Sequence, residues 1–362
     1  MHDAAAGPFR HDTLFSVASP RIGIDEAEAL AADAFGIVGT ASALASERDQ
    51  NFRIDAADGA SYVLKLTHPA EQAGVTEFQT FAQLQVIEAD ATLPVPRLMR
   101  DRSGRYIHWR DVAGEHARQA VRMITFAPGI PLHRVERSRR QRRALGTALG
   151  RFDRALRGFT HAHAGHRLLW DIQHLSQLRP LLDYVDGGER RSLARHLLDR
   201  HDAHTARRMT TLRRQVIHND LNPYNVLVDE TNTDRIAAIL DFGDMVHAPL
   251  VNELAVASSY QLADTPNPLE TAVDCICAYH RENPLSGDEL AVLPELIVAR
   301  LLMTVLITGW RAREHPENSA YILRNNALSW TGLHRLAALP DGDAARIIGD
   351  AIRHEQENRH AQ

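Results

Sequence analysis

The chain has 362 residues, room for about two domains or one bilobal unit, with 44% apolar and 24% charged residues. Lys plus Arg number 41 against 46 Asp plus Glu, a formal net charge of −5. That balance argues against a nucleic-acid-wrapping or membrane-surface protein, yet leaves room for a local cationic cluster that binds phosphate. Residues 1–15 lack the apolar segment of a signal peptide. The greasiest stretch, 290–310, is interrupted by Pro294, Glu295 and Arg300 and reads as a buried helix, not a membrane span. Cys275 and Cys277 lie two apart on a predicted helix and cannot staple the fold or close a zinc site, so they read as buried thiols in a reducing cytoplasm. Of the 41 basic residues, 40 are Arg and one is Lys65. Either codon drift left that single Lys, or position 65 needs a compact ammonium that a planar guanidinium cannot replace.

In chain order, 25–35 reads as a short acidic helix. Strands follow at 37–44, 51–54 and 61–66, with an Asp58-Gly59 hairpin signal between the last two. Lys65 falls in the third. Residues 76–87 have helical period, with Phe78, Phe81, Leu84 and Gln85 on one face. Residues 119–126 read as a strand and Ala127-Pro128-Gly129 as a break, dividing a β-rich N-lobe (1–127) from a C-lobe (128–362). The C-lobe opens with Arg-rich helical stretches at 137–159 and 168–208, holds a small β patch at 226–228 and 236–240, and returns to helix from Leu250. The charge run 137–143 reads as the wet face of a helix.

The strongest local signal is Val216-Ile-His218-Asn219-Asp220-Leu-Asn-Pro-Tyr-Asn225, an apolar strand, a turn, a second apolar strand, then Asp241-Phe-Gly-Asp244. Two short antiparallel strands bring Asn225 and Asp241 to one end of a hairpin. A carboxylate and an amide oxygen there, without His or Cys, suit Mg²⁺. Asp220 lies close enough to face a hydroxyl attacking a phosphate. Each piece alone has an ordinary structural explanation; the ordered set, with a strand lysine far upstream, is what phosphoryl transfer needs.

These motifs resemble the paired motifs of the aminoglycoside phosphotransferase and choline kinase superfamily, over about residues 37–330. Val216 to Asn225 and the run His247-Ala-Pro-Leu-Val-Asn-Glu-Leu-Ala255 are most similar to the hydroxylysine kinase group. The resemblance implies an α+β, protein-kinase-like bilobal fold. It implies that Asp220 is the catalytic carboxylate and that Asn225 and Asp241 hold Mg²⁺. It implies that His218 braces the metal loop, Lys65 holds the phosphates of ATP or GTP, and Glu77 orients Lys65, with Glu71 as the rival. Thr125 and Phe126 fall where an interlobe hinge offers backbone groups to a purine, and Asp244 adds charge near the metal.

Departures narrow the class. The loop at 46–51 has no glycine, and Asn219 replaces the arginine of protein kinases. Asp241 is followed too soon by the next helix for an activation segment, so a protein substrate is not expected. A small amino alcohol is, 5-hydroxylysine first. Trp170-Asp171 and Trp310-Arg311 pair an aromatic with a charge suited to an ammonium and a carboxylate, though core Trp and surface Arg explain them equally well. The alternatives are an aminoglycoside acceptor, against which the Arg-rich lobe argues, and a silent nucleotide-binding module. No nucleic-acid or membrane partner is expected, and nothing marks an oligomeric state.

Overall fold

The computed structural model describes residues 21–46, 49–112 and 118–360. Residues 1–15, with their signal-peptide reading, and Glu47 and Arg48 of the glycine-free loop lie outside the described residues. The chain forms two compact units. The first is Met1–Pro128 with His161–His166, the second Gly129–Thr160 with Arg167–Gln362.

The first unit is built on a five-stranded antiparallel sheet of β1 (Gly39–Leu44), β2 (Gln50–Ala56), β3 (Ser61–Leu66), β4 (His108–Asp111) and β5 (Arg118–Thr125), in the order β1-β2-β3-β5-β4. Helix α1 (Ile24–Phe35) lays Ala27, Ala31, Ala34 and Phe35 on one face, against Phe52, Ile54, Leu64, Leu66, Val121 and Met123. The strand alternation that sends Leu64 and Leu66 into this core turns Lys65 to the other face. There Lys65 pairs in register with Asn51 and with Arg122. Arg122 is buried and donates to Thr67 (3.2 Å) and to Thr80 (3.5 Å) of helix α2 (Ala73–Ala89).

The face expected of α2 is a correction. Phe78 is buried as expected, but Phe81 is 47% exposed, and the buried face is completed by Val75, Ala82 and Val86 with Gln79 and Gln83. Helical period sets the repeat of a pattern but not its phase, and two stripes here were apolar enough to compete. His161–His166 joins this unit rather than the helical one. His161 and His166 pack on Phe78 at 5.7 and 5.9 Å between ring centroids, and Gly74 leaves the space that His163 fills.

The second unit is mostly helical. Its labelled helices are α3 (Arg139–Ala155), α4 (Gly188–Arg200), α5 (Val251–Ser259), α6 (Ala272–Glu282), α7 (Gly287–Glu314), α8 (Asn326–Ala337) and α9 (Asp343–His360). The stretch 168–208 is not one long helix: a 3-10 segment, Ile172–Tyr184 with Pro180 inside, is set off from α4 by Gly187 at φ 82°. Nor is the 137–143 charge run simply solvated. Arg139 and Arg142 reach Asp274 of α6 at 3.0 Å, and Arg143 reaches Glu355 of α9 at 2.6 Å, so the run ties three helices together. α7 runs unbroken through Pro294 behind a capping box of Ser286 and Glu289. It is apolar and long enough to cross a membrane, but 83% of its greasiest window is buried within the protein. Cys275 and Cys277 are buried, unbridged thiols on α6, and burial pushes both up to about 12. Two small sheets complete the unit: β6 (Ile130–Pro131), β8 (Val226–Val228) and β9 (Ile236–Ile239) in one, β7 (Arg214–Ile217) and β10 (Val246–Pro249) in the other.

Candidate active site

β7 delivers the turn His218-Asn219-Asp220. Glu253, fully buried on α5, holds that turn: its carboxylate accepts the N–H of His218 and, at 3.2 Å, that of Asn219. Asn219 (φ 65°) and Asp241 (φ 57°) are the two non-glycine residues at positive φ among the described residues. Asn and Asp tolerate that conformation best, and such backbone clusters at functional sites.

His218 joins the two motifs. Its Nδ1 accepts the Asp220 N–H (3.3 Å), which leaves Nε2 to donate to the carbonyl of Leu240 (2.9 Å), the residue before Asp241. Its ring is wedged between Phe152 and Phe242, at 5.6 and 5.5 Å. The β8–β9 register pairs Val226 with Ile239, and Leu240 N–H donates to Asn225 O at 2.8 Å, so Asn225 and Asp241 sit at the same end of the hairpin.

The Asp220 carboxylate is held from both sides. Oδ1 accepts from Arg300 Nη2 (2.9 Å), and Oδ2 accepts from Asn225 Nδ2 (2.7 Å) and Asn222 Nδ2 (2.8 Å). Its side chain keeps 20% exposure. Burial and the neighbouring charges of Asp244 and Asp241 push its pKa up to about 7, against the opposing pull of Arg300 and Asn222. A carboxylate poised near ambient pH suits proton acceptance.

Asn225 commits its amide nitrogen to Asp220, so its Oδ1 is the acceptor left for a cation beside the Asp241 carboxylate. That pair is a hard-oxygen donor set. Among the described residues no three His, Cys, Asp or Glu side chains form a metal cluster. Two such donors would leave the other positions of a hard cation to phosphate oxygens and water.

A family model described as the phosphotransferase enzyme family matches residues 40–285. The chain belongs to that family. Curated relatives include the hydroxylysine kinase of Mus musculus, 25% identical over 333 residues (86% of this chain, 88% of the relative), and that of Xenopus laevis, 23% identical over 347 residues (90% and 93%). Among solved structures, a microcompartment-associated aminopropanol kinase superposes with a TM-score of 0.65 at 17% identity over 85% of this chain and 95% of its own. A spectinomycin phosphotransferase in complex with ADP and spectinomycin gives 0.61 at 12% identity over 88% and 99%. The fold is thus shared with small-molecule kinases, and this member is a small-molecule phosphotransferase acting on an alcohol.

The remaining expected residues fall unevenly. Thr125 and Phe126 close the sheet of the first unit, but neither N–H is presented to a ligand: Thr125 N–H donates to Arg97 O (2.8 Å) and Phe126 N–H to Ser61 O (2.9 Å). Glu77 is half-buried on α2, one turn before Thr80. Asp171 is 1% exposed and caps the 3-10 segment, accepting from Gln173 N (3.0 Å) and Gln173 Nε2 (2.8 Å), so its oxygens are not offered to a substrate. Trp310 and Arg311 sit ten and eleven residues past Arg300 on α7, roughly 15 Å along the axis, where Gly309 packs against Tyr184 O. They are not gathered around Asp220. Sequence reasoning missed Arg300 and Glu253. The signals were there: one arginine inside an apolar run must be paired if buried, and Glu253 stood unused within the 247–255 motif.

Proposed function

We propose that the protein transfers the γ-phosphate of ATP or GTP, bound with Mg²⁺, to the hydroxyl of a small amino alcohol, 5-hydroxylysine first. The observation that carries this reading is the Asp220 carboxylate, fixed by Arg300, Asn222 and Asn225 and tied through His218 to the Asp241 turn. The substrate class is supported by the hydroxylysine kinases of mouse, zebrafish, frog and cow and by the aminopropanol kinase neighbour. The buried, unbridged thiols suit a cytoplasmic enzyme.

Asp220 orients the acceptor hydroxyl and takes its proton as the oxygen bonds to the γ-phosphorus and the bond to the β-bridging oxygen breaks. Asn225 and Asp241 would hold Mg²⁺, which would supply charge neutralisation on the phosphates. Asp244 adds negative charge beside this centre. Lys65 holds the α- and β-phosphates, with Glu77 or Glu71 as its acid.

The test is a phosphoryl-transfer screen of purified protein with Mg²⁺, ATP or GTP, and a panel of amino alcohols and aminoglycosides. 5-Hydroxylysine is phosphorylated and lysine is not. Asp220→Asn keeps nucleotide binding and lowers kcat by roughly 10²–10⁴, while Asp241→Ala loses Mg²⁺-dependent nucleotide binding. Phosphorylation of an aminoglycoside alone returns the reading to its alternative.

A further inference from the structure

Beside the catalytic turn, the second unit bears an open-mouthed pocket of about 360 Å³ whose wall includes Pro223 and Tyr224 of that turn, Tyr260, Arg137 and Arg324. Its charge is unbalanced. Arg137 donates to the side chain of Gln261 and has no carboxylate partner among the described residues. Burial drags its pKa down to about 10. Arg324 donates to Tyr321 O (2.9 Å) and lies over the rings of Tyr321 (3.8 Å) and Tyr224 (4.6 Å), again with no carboxylate partner among the described residues. The Nε of each is buried without a hydrogen-bond partner. The one acid on the wall, Asp264, is bound to Arg335 at 3.1 Å. Partly buried guanidiniums without a counter-ion are costly, and their planar fork matches a carboxylate. The cavity adjoins the reacting end of the site: Pro223 and Tyr224 on its wall follow Asp220 in the same turn, and Tyr260 is an electrostatic neighbour of the Arg300 that holds Asp220.

We propose that this cavity receives the acceptor and that Arg137 and Arg324 bind its carboxylate, so that the acceptor is a hydroxyl-bearing amino acid rather than a polycation or a carboxylate-free amino alcohol. This rests on the phosphotransferase reading of Asp220 and moves the carboxylate role from Arg311 to the cavity. The acceptor enters with its anion at the guanidiniums and its hydroxyl towards Asp220, past the edge formed by Tyr260.

Paired acceptors test it: 5-hydroxylysine against 1,5-diaminopentan-2-ol, homoserine against 3-aminopropan-1-ol, and threonine against 1-aminopropan-2-ol. The carboxylated member of each productive pair is favoured in kcat/KM by roughly 10- to 100-fold, the worth of a charge-assisted contact. Arg324→Gln and Arg137→Gln collapse that ratio towards one, and Arg324→Lys, which keeps charge but loses the fork, falls between. Carboxylate-free acceptors used equally well, or a ratio unmoved in both Gln variants, overturn the proposal and leave the kinase reading intact. Calorimetry separates the two claims: with Mg²⁺ and a non-hydrolysable nucleotide bound, the full chain binds L-lysine but not cadaverine, and Arg324→Gln loses the lysine signal. If no acceptor is phosphorylated but this pattern holds, the substrate named above falls and the carboxylate site stands. If lysine binds no better than cadaverine, the site falls.

Discussion

Arg300 donates to Oδ1 of Asp220 at 2.9 Å from the middle of a 28-residue helix whose neighbouring positions are nearly all apolar. The same guanidinium donates to Trp170 O (3.1 Å) and lies 5.1 Å from the Trp170 ring. A fully buried arginine needs such a set of partners. It fixes the carboxylate that the proposed reaction turns to the acceptor, and its charge opposes the upward push on the Asp220 pKa.

Arg300→Met is therefore expected to cost roughly 10- to 100-fold in kcat, the worth of one charged hydrogen bond. It should also move the acidic limb of the kcat/KM profile to higher pH, because the positive charge of Arg300, which lowers the Asp220 pKa, is gone. Arg300→Lys should restore the limb more than the rate, since an ammonium cannot span Asp220 and Trp170 O as the fork does. A profile that keeps its limb in both variants would mean that Arg300 only packs the helix.

Much of this was legible before any coordinates. The strand 61–66, the Asp58-Gly59 hairpin and the meeting of Asn225 with Asp241 follow from local pattern and turn chemistry, and the structure has all three. What stayed hidden depends on partners far away in sequence. Arg300 is 80 residues from Asp220, and Glu253 is 34 from Asn219. A lone charge in an apolar run says that it must be paired, but not with what. The misplaced readings share a cause: Asp171 and the 137–143 run look like ligand and solvent residues until the Gln173 amide and the acids of α6 and α9 are seen to occupy them.

Lys65 offers a clean chemical count, since the N-terminus is the only other amine in the chain. An amine-reactive reagent should label at most two sites by mass spectrometry, and Mg²⁺ with nucleotide should slow Lys65 alone. Lys65→Arg should fold yet lose roughly 10- to 100-fold in kcat/KM for nucleotide. The register already places Lys65 opposite Arg122 on the same sheet face, so a second, wider guanidinium crowds a like charge. Equal labelling with and without nucleotide, with a fully active Arg variant, would make the lysine an accident of composition.

Helices α3 and α6 touch backbone to backbone at Gly146, where an added Cβ would lie 2.1 Å from the Cys275 carbonyl oxygen. Gly146→Ala must push the helices apart and is expected to destabilise by about 3 kcal/mol or more. Gly188, at the start of α4, has nothing within 4 Å of an added Cβ, so Gly188→Ala should be neutral or gain about 0.5 kcal/mol by restricting the unfolded chain. Urea midpoints compare the two. A tolerated Gly146→Ala would mean that α3 and α6 do not pack this closely.

The last prediction concerns the ground beneath the site. Asp153 is fully buried on α3, next to the Phe152 that packs on His218, and accepts a hydrogen bond from Tyr279 while its Oδ1 has none. Burial first, then the charge of Glu253, raises its pKa well above the usual carboxylate value. A folded pKa above the unfolded one means that folding takes up a proton between the two. The favourable contribution is complete below the unfolded pKa, about 4, and is lost as pH rises through the folded value. Asp153→Asn keeps an acceptor for Tyr279 and removes that loss. The variant's Tm minus the wild-type Tm should therefore climb steadily from pH 5 to pH 8, whatever its value at pH 5. A difference that falls with pH would show that the ionised carboxylate is the form the fold prefers, and that the charge beside Glu253 is compensated by the more distant Arg213.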